Sequence, residues 1–342
     1  MTSEICLTSH KDLFDKFCGK PEFDPARAGH GGCFGLKVGN NVTTDGQTVI
    51  RGTYPMLFAF FGEDGTVLRA AFTRQIEAAV TAGASGIAVL GLGTEVAKLG
   101  HAEQRQIVEW VAEDLAGRLP LAVTVANGNV PDMIDSARFA LGAGAQWLIL
   151  QPPRPPITGA QLIRHFGAVA AAVDAPLAIQ NAPEFLGVGL TAAELVSLHA
   201  AHPNVRVVKA ESSAVAVATL IDTLPPGMTV FNGRAGLELT DNFRAGVAGM
   251  IPGIETIDLQ VAVETAMRAG DEATAEALYR KMLPAIAFCM QGLGPFTLYA
   301  KLIAALRLGL PPSHSRNPSD TATPRGLQWA HRLAADLGPL AF

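Results

Sequence analysis

From Gly52 onward, short apolar segments alternate with longer segments in which apolar and polar residues mix at helical spacing. A short apolar run bounded by turn residues is typical of a strand buried on both faces, as in a parallel sheet. The mixed segments predict amphipathic helices that cover such a sheet. Strands are predicted at Tyr54–Phe60, Gly86–Leu90, Leu121–Val125, Trp147–Leu150, Leu177–Gln180, Val205–Lys209, Thr229–Phe231 and Ala248–Ile251. Helices are predicted at Arg69–Ala82, Ala102–Ala116, Pro131–Leu141, Gly159–Val173, Ala192–Ala200, Ala214–Thr223, Gly236–Gly246 and Thr256–Ala269.

This alternation predicts a closed (β/α)8 TIM barrel. Eight strand–helix units in roughly 220 residues match that fold in number and in length. An open doubly wound sheet rarely needs eight strands, and its glycine-rich signature loop is missing here. Thr191 with Glu194 reads as a capping box, and Pro131 stands at a favourable first-turn position, so both mark helix starts.

The segments on either side of the alternating region differ from it. After residue 270 the sequence predicts three helices, Asp271–Met282, Pro284–Leu308 and Gly326–Leu337, with a loop at Pro311–Thr323. We therefore expect a barrel over residues 52–270 and a C-terminal helical extension over residues 271–342. Residues 1–51 are turn-rich and predict an N-terminal accessory segment, partly disordered. Its Asp45-Gly46 pair is a hairpin signal between possible strands at Cys33–Val38 and Gln47–Arg51.

Composition and charge exclude several classes of function. Apolar residues make up 49% of the chain and charged residues 17%, which is ample material for a large core. The formal net charge is −5, with no basic run, so no nucleic-acid partner is expected. No uncharged apolar stretch approaches the length of a membrane span. The four cysteines lack CxxC spacing and no secretory leader is evident, which predicts a cytoplasmic protein. The eight histidines form no HxxxH or HExxH pair, so no metal is predicted.

The segment Pro203–Ser212 carries the most specific chemical signal. Its apolar strand ends in Lys209, just before Glu211, and barrel enzymes place their sites at the carboxyl ends of the strands. Burial disfavours the charged form of an amine, and a free amine condenses with a ketone to a Schiff base. The alternative is a structural lysine that reaches the rim of the barrel or pairs with Glu211.

The loop after the second strand is a candidate anion site. Gly91 and Gly93 leave backbone amides unhindered, and Thr94 adds a hydroxyl, an arrangement suited to a small carboxylate. The alternative is a tight turn that needs glycine for its backbone angles. The loop is neither a dinucleotide-binding loop nor a P-loop, since the further glycine and the Gly-Lys-Ser/Thr are absent.

Several motifs together resemble one enzyme family. GLGTEVAKL follows strand two, Gln180-Asn181-Ala182-Pro183 ends strand five, and Lys209 comes 29 residues after Gln180. With the Gly246–Ile251 segment and Arg316-Asn317-Pro318, the chain resembles the dihydrodipicolinate synthase / N-acetylneuraminate lyase family of Schiff-base aldolases from about Gly52 to Leu337. The resemblance implies a barrel with a helical tail and a lyase that forms a covalent imine with a 2-oxo acid through Lys209, without a cofactor. It also implies a homo-oligomer, either a dimer or a tetramer.

The chain departs from the family at positions that carry chemistry. The family's strand-five tyrosine, a proton relay, is Gln180 here, and an amide cannot donate and recover a proton at neutral pH. The threonine pair of the anion loop is replaced by Leu92-Gly93, and Pro153-Arg154 replace a second tyrosine of the relay. Phe185 stands where the synthases carry a substrate-binding arginine. We therefore expect an aldolase or dehydratase rather than a true dihydrodipicolinate synthase.

The predicted site follows from these comparisons of motif and strand end. Lys209 and Gln180 are predicted as catalytic. The predicted substrate-binding residues are Leu92, Gly93, Thr94, Arg154, Glu211 and Ile251. Two alternatives stay open: a barrel enzyme that binds a sugar phosphate through the loops Asn232–Gly236 and Ile251–Gly253, and a non-catalytic family member that binds a metabolite.

Overall fold

Eight parallel strands form the central sheet. The computed structural model describes residues 43–44, 47–48, 50–126 and 128–342. The strands of the chain are β1 (Thr43–Thr44), β2 (Gln47–Thr48), β3 (Gly52–Thr53), β4 (Ile87–Val89), β5 (Leu121–Val125), β6 (Trp147–Leu150), β7 (Leu177–Asn181), β8 (Val205–Ala210), β9 (Thr229–Asn232) and β10 (Gly249–Met250). The sheet order is β3-β10-β9-β8-β7-β6-β5-β4, so each strand from β4 to β10 lies beside its neighbour in sequence.

The segment after β3 closes this sheet into a barrel. Met56 forms parallel bridges with Ala88 in β4 and with Gly253 just after β10. The amide of Ala88 donates to Pro55 O at 3.0 Å, and the amide of Met56 donates to Pro252 O at 2.7 Å. The predicted TIM barrel is therefore confirmed.

The first strand differs from its predicted range, Tyr54–Phe60. Its regular part, β3, ends at Thr53, and beyond it only the bridge at Met56 belongs to the sheet. Pro55 has no amide hydrogen to donate to a ladder. The amide of Leu57 still donates to Ala88 O at 2.9 Å, and the apolar residues Phe58–Phe61 then leave the sheet and are buried in the surrounding core. Burial therefore accounts for this apolar run without a strand.

Helices connect successive strands. They are α1 (Arg69–Thr81), α2 (His101–Leu115), α3 (Val130–Gly142), α4 (Gly159–Ala170), α5 (Pro183–Leu186), α6 (Ala192–Ala201), α7 (Ala214–Thr223), α8 (Leu239–Ala245) and α9 (Ile257–Arg268). The predicted capping box is present, since Thr191 accepts from the amide of Glu194 and caps α6. The short helix α5 was not predicted. Helix α8 begins later than predicted because Gly236 and Glu238 have φ of 95° and 53°, which are not helical angles.

The C-terminal region contains α10 (Glu272–Cys289), α11 (Leu293–Pro295), a π-helical turn at Phe296–Ala300, α12 (Lys301–Leu308) and α13 (Pro324–Leu337). The predicted break before Pro284 is wrong, because α10 continues through that proline to Cys289. Buried Met282 and Ile286 anchor the helix on both sides of Pro284, and this packing outweighs the lost hydrogen bond. Within the described ranges no single helix is long and apolar enough to cross a membrane. The segments Glu272–Cys289 and Leu293–Leu308 meet that criterion only as a pair, and they are bent by 114°.

A small hairpin precedes the barrel. Strands β1 and β2 pair antiparallel with Thr44 opposite Gln47. The predicted turn residues Asp45 and Gly46 lie outside the described residues. The predicted strand Cys33–Val38 lies outside the described residues. The division at residues 51 and 270 stays a prediction.

Aromatic side chains fill the barrel interior. The ring of Tyr54 meets those of Trp147 and Phe231 at centroid distances of 5.3 and 5.9 Å, in edge-on geometry. Inward positions alternate along each strand, so Val207 belongs to the same interior cluster. The next inward position on β8 is Lys209, one layer closer to the carboxyl ends of the strands.

Candidate active site

Lys209 and Gln180 lie side by side at the carboxyl end of the barrel. They are paired residues of the neighbouring strands β8 and β7. Lys209 is 4% exposed and Gln180 is fully buried, although each carries a polar head group. The two residues are thus brought together as the strand alternation predicts.

Glu211 completes a polar cluster with these two residues. Lys209 Nζ donates to Glu211 Oε1 at 2.5 Å, and Gln180 Nε2 donates to the same oxygen at 2.7 Å. Glu211 is 3% exposed. Among the described residues, Gln180 Oε1 has no hydrogen-bond partner. The ion pair with Glu211, which was predicted for the case that Lys209 is a structural lysine, is therefore present.

A small cavity opens onto this cluster. It has a volume of about 40 Å³, and Lys209 and Glu211 are its only titratable lining residues among those described. The remaining lining residues are apolar or glycine: Met56, Leu92, Gly93, Phe185, Gly233, Ala235, Ile251, Pro252, Gly253, Met290, Gly292, Leu293 and Phe296. A water molecule needs about 10–15 Å³ of such volume, so the cavity holds only a few heavy atoms. The ion pair is buried at a cavity rather than away from one.

Gly233 permits the close packing of the ion pair. A Cβ atom at this position would lie 2.9 Å from Lys209 Cε and 2.9 Å from Glu211 Cγ. Real Cβ atoms do not approach other heavy atoms so closely, so any side chain at position 233 would displace the pair. Gly233, in the loop that follows β9, therefore leaves the space in which the side chains of Lys209 and Glu211 lie.

The loop after β4 brings backbone amides to the cavity. Leu92 and Gly93 line it. Within the described part of the chain, the amides of Leu92, Gly93 and Thr94 donate to no protein acceptor. Consecutive free amides of this kind form an anion-binding concavity. These amides are available for the predicted carboxylate site, which stays a prediction.

The Thr94 hydroxyl has partners within the protein. Thr94 is fully buried, and its Oγ1 donates to Leu57 O at 2.7 Å and lies 3.3 Å from Met56 Sδ. The predicted contact between this hydroxyl and a substrate stays a prediction, which would require the hydroxyl to leave Leu57 O. The hydroxyl anchors the loop to the segment that closes the barrel.

The far end of the loop is held by ion pairs. Glu95 has φ of 60° and is buried, and its carboxylate pairs with Lys98 at 2.5 Å and with Lys301 of α12. Burial lowers the pKa of Lys301. A buried charge needs a partner, so this pairing ties the loop to the C-terminal helices.

Arg154 lies apart from the Lys209 cavity. It lines a second cavity of about 560 Å³, which shares Leu92 and Leu293 with the first. The polar lining of this larger cavity includes Gln151 and Asp320. The predicted contact between Arg154 and a substrate stays a prediction, and in this geometry it would involve a group that extends into the larger cavity.

Ile251 contributes only apolar surface. It lines the Lys209 cavity, but its amide already donates to Asn232 O at 2.9 Å. In the loop Asn232–Gly236, Arg234 lies 3.3 Å from Glu238 and 3.7 Å from Glu184. Two carboxylates already neutralise this arginine, which disfavours the phosphate-binding alternative.

With this geometry described, comparisons with known proteins identify the family. A sequence model of the dihydrodipicolinate synthetase family matches residues 49–334. The chain belongs to this family. The family resemblance inferred from the motifs is thus confirmed.

Named relatives span most of this dihydrodipicolinate synthetase family member. The 4-hydroxy-tetrahydrodipicolinate synthase of Symbiobacterium thermophilum is 30% identical over 268 residues, covering 76% of this chain and 89% of that protein. The corresponding synthase of Limosilactobacillus fermentum is 28% identical over 261 residues, covering 75% and 83%.

Solved structures agree. The prophage protein YagE of Escherichia coli K12, solved in complex with pyruvate, is 25% identical with a TM-score of 0.78, covering 84% of this chain and 99% of that one. The sialic acid aldolase of Ruminococcus gnavus, 21% identical with a TM-score of 0.76, covers 84% and 96% and shares the fold. The family is one of lyases, so the predicted class of enzyme is confirmed.

Sequence reasoning missed part of this family member's site. Met290, Leu293 and Phe296 from the C-terminal region form cavity wall, but apolar residues carry no chemical signal. Outside the cavity lining, it also missed the buried carboxyl of Glu255, which lies two residues after Gly253 and is 2% exposed. A single glutamate within the apolar stretch Met250–Ile257 was the available signal.

Proposed function

We propose that this chain is a class I lyase, an aldolase or dehydratase, that forms an imine between Lys209 Nζ and C2 of a 2-oxo acid. The observation that carries the proposal is a buried amine in a small cavity beside three backbone amides that donate to no acceptor among the described residues. An amine supplies the nucleophile, and the amides supply a site for the carboxylate next to the ketone.

The substrate carboxylate would lie on the amides of Leu92, Gly93 and Thr94. The protonated imine would then withdraw electrons from the neighbouring carbon, so that a bond there breaks or forms. This chemistry needs no cofactor, because the imine nitrogen is the electron sink. The complex of YagE with pyruvate, which is a 2-oxo acid, supports this class of substrate.

The substrate's distal end would occupy the cavity of about 560 Å³ that adjoins the first at Leu92 and Leu293. Arg154 lines that cavity and forms no ion pair with a described carboxylate. Arg154 would therefore bind a polar or anionic distal group. The synthase reaction itself is not proposed, since Gln180 and Phe185 replace the tyrosine and arginine that it would need.

We also propose that the enzyme works as a cytoplasmic homo-oligomer, a dimer or a tetramer, as the family resemblance implies. Helix α13 exposes 39% of Leu327 and 46% of Trp329, apolar surface that a second copy could cover.

Borohydride reduction in the presence of pyruvate tests the imine. Reduction fixes the adduct as a secondary amine, and peptide mass spectrometry should locate it on Lys209. Lys301 is the internal control, because it is also buried against a glutamate but does not line the cavity. The variant Lys209→Met should give no adduct.

A panel of longer 2-oxo acids extends the experiment. If no acid in the panel labels wild-type Lys209, the proposed function is wrong. Equal labelling of Lys209 and Lys301 would show nonspecific reaction and would also contradict it.

A further inference from the structure

We propose that Glu211 is the acid–base catalyst of this site and that Gln180 is a positioning residue that holds its carboxylate against Lys209. This inference rests on the proposed function. Gln180 stands at the position of the family's tyrosine, and its amide cannot carry a proton. Another group must therefore do so, and we assign that role to Glu211.

The backbone directs Glu211 into the barrel. Strand β8 ends at Ala210, but the amide of Glu211 still donates to Asn181 O at 3.0 Å, so the ladder with β7 continues for one residue. Residues two apart on a strand share a face. Glu211 therefore projects to the same side as Lys209, and both line the cavity.

The charge arrangement leaves one candidate for proton transfer. Among the described residues, Glu211 is the one carboxylate within 4.0 Å of Lys209 Nζ, and the cavity lining offers no other titratable group besides the lysine. Their separation of 2.5 Å is that of a charge-assisted hydrogen bond. A general base must lie within such reach of the proton that it removes.

Gln180 fixes the carboxylate without exchanging a proton. Its Nε2 donates to Glu211 Oε1, the oxygen that also accepts a hydrogen bond from Lys209 Nζ. An amide donates and accepts hydrogen bonds but does not titrate. Gln180 therefore acts through Glu211.

The proposed step balances in atoms and charge. Glu211 takes a proton from the Lys209 ammonium, and the free amine pair attacks C2 while the carbonyl π pair moves to oxygen. Glu211 returns its proton to that oxygen, which leaves as water after a second proton from the nitrogen reaches it. One ammonium and one ketone thus give one protonated imine and one water.

The same carboxylate then removes a proton from C3. The electrons of that C–H bond form a C=C bond, and the imine π pair moves to nitrogen, which gives an enamine. With pyruvate in D2O, reversal of this step places deuterium on the methyl group.

The test uses pyruvate with the full chain and two measurements. The first is the rate of borohydride-trapped adduct on Lys209, and the second is deuterium entry into the pyruvate methyl group by NMR. We expect Glu211→Gln to slow both by roughly 10²-fold, a usual size for general acid–base catalysis. The matched control is Glu184→Gln, which removes a nearby carboxylate that does not line the cavity, and it should match wild type.

The direction of the effect separates catalysis from a structural ion pair. If Glu211 served only as counter-ion to the ammonium, its neutral isostere would leave trapping unchanged or make it faster. That result would overturn the proposal. In Glu211→Ala, added formate should restore deuterium exchange, because the small acid can occupy the vacated space and carry the proton.

Positioning by Gln180 has its own readout. Gln180→Met should lower exchange at saturating pyruvate by about tenfold, while the pyruvate concentration at half-saturation stays unchanged. If the glutamine variant does not fold, Glu211→Asp serves instead, because it keeps a carboxylate and should retain more exchange than Glu211→Ala without formate. Wild type without any adduct would refute the proposed function, whereas an adduct with wild-type exchange in Glu211→Gln would refute only the role of Glu211.

Discussion

Glu255 makes the stability of the folded chain depend on pH in an unusual direction. It lies in the turn Ile254–Thr256 and is 2% exposed, and burial raises the pKa of its carboxyl to about 7. A hydrogen bond from the backbone amide of Glu255 and, to a smaller extent, the charge of Arg307 oppose that shift. Among the described residues, Glu255 Oε2 has no hydrogen-bond partner that would favour ionisation.

The sign and size follow from linkage. In the unfolded chain the carboxyl of Glu255 has its ordinary pKa of 4.5, so between pH 4.5 and about 7 the folded chain binds more protons. Stability therefore falls as pH rises through this window. A difference of about 2.5 pKa units corresponds to about 3 kcal/mol, at 1.36 kcal/mol per unit. Glu255→Gln cannot ionise, so relative to wild type it should be about 3 kcal/mol more stable above pH 7.

Urea unfolding of wild type and Glu255→Gln at several pH values between 4.5 and 8 measures this difference. The gain should rise steadily with pH from its value at pH 4.5 and level off above pH 7. Glu103→Gln is a control of opposite sign, because its ion pair with Arg316 lowers the pKa of Glu103 below 4.5; this variant should be less stable than wild type by an amount that stays nearly constant above that pH. A stability difference for Glu255→Gln that does not change with pH would refute the reasoning.

Two glycine substitutions test close packing. Gly233→Ala should slow pyruvate trapping by about tenfold at nearly unchanged melting temperature, since its Cβ would lie 2.9 Å from both Lys209 Cε and Glu211 Cγ; wild-type trapping kinetics would contradict this. Gly86→Ala should lower the free energy of unfolding by about 3 kcal/mol in urea, because its Cβ would lie 2.0 Å from a ring carbon of the fully buried Tyr54; wild-type stability would show that the ring can move aside.

The sequence determines the barrel wherever burial requires an apolar run. Strands β5 and β6 begin and end at the predicted residues, because a strand covered on both faces must be apolar throughout and its turns are polar. The same signal misleads at Phe58–Phe61, which is equally apolar but packs outside the sheet. The pattern of apolar residues indicates which segments are buried. Only backbone hydrogen bonds to a neighbouring strand distinguish a strand from a buried coil.

The site was predictable where strand geometry alone places a side chain. Lys209 and Gln180 occupy inward positions at neighbouring strand ends, and register brings them together. Loop residues follow no such rule. Thr94 turns towards Leu57 in a loop that ends at Glu95 with φ of 60°, an angle that no spacing in the sequence announces.

Strand alternation also explains how a barrel could lose one proton relay and gain another without a change of fold. A tyrosine at the end of β7 and a glutamate two residues after the lysine of β8 reach the same point inside the barrel, because positions 209 and 211 share a face. Once Glu211 lies at 2.5 Å from the amine, the neighbouring residue need only hold the carboxylate, and Gln180 makes that contact at 2.7 Å. Gly233 leaves the space that the added carboxylate occupies. The positions of these four residues therefore depend on one another. As long as Glu211 occupies its present place, the single substitution Gln180→Tyr should not restore the family's proton relay.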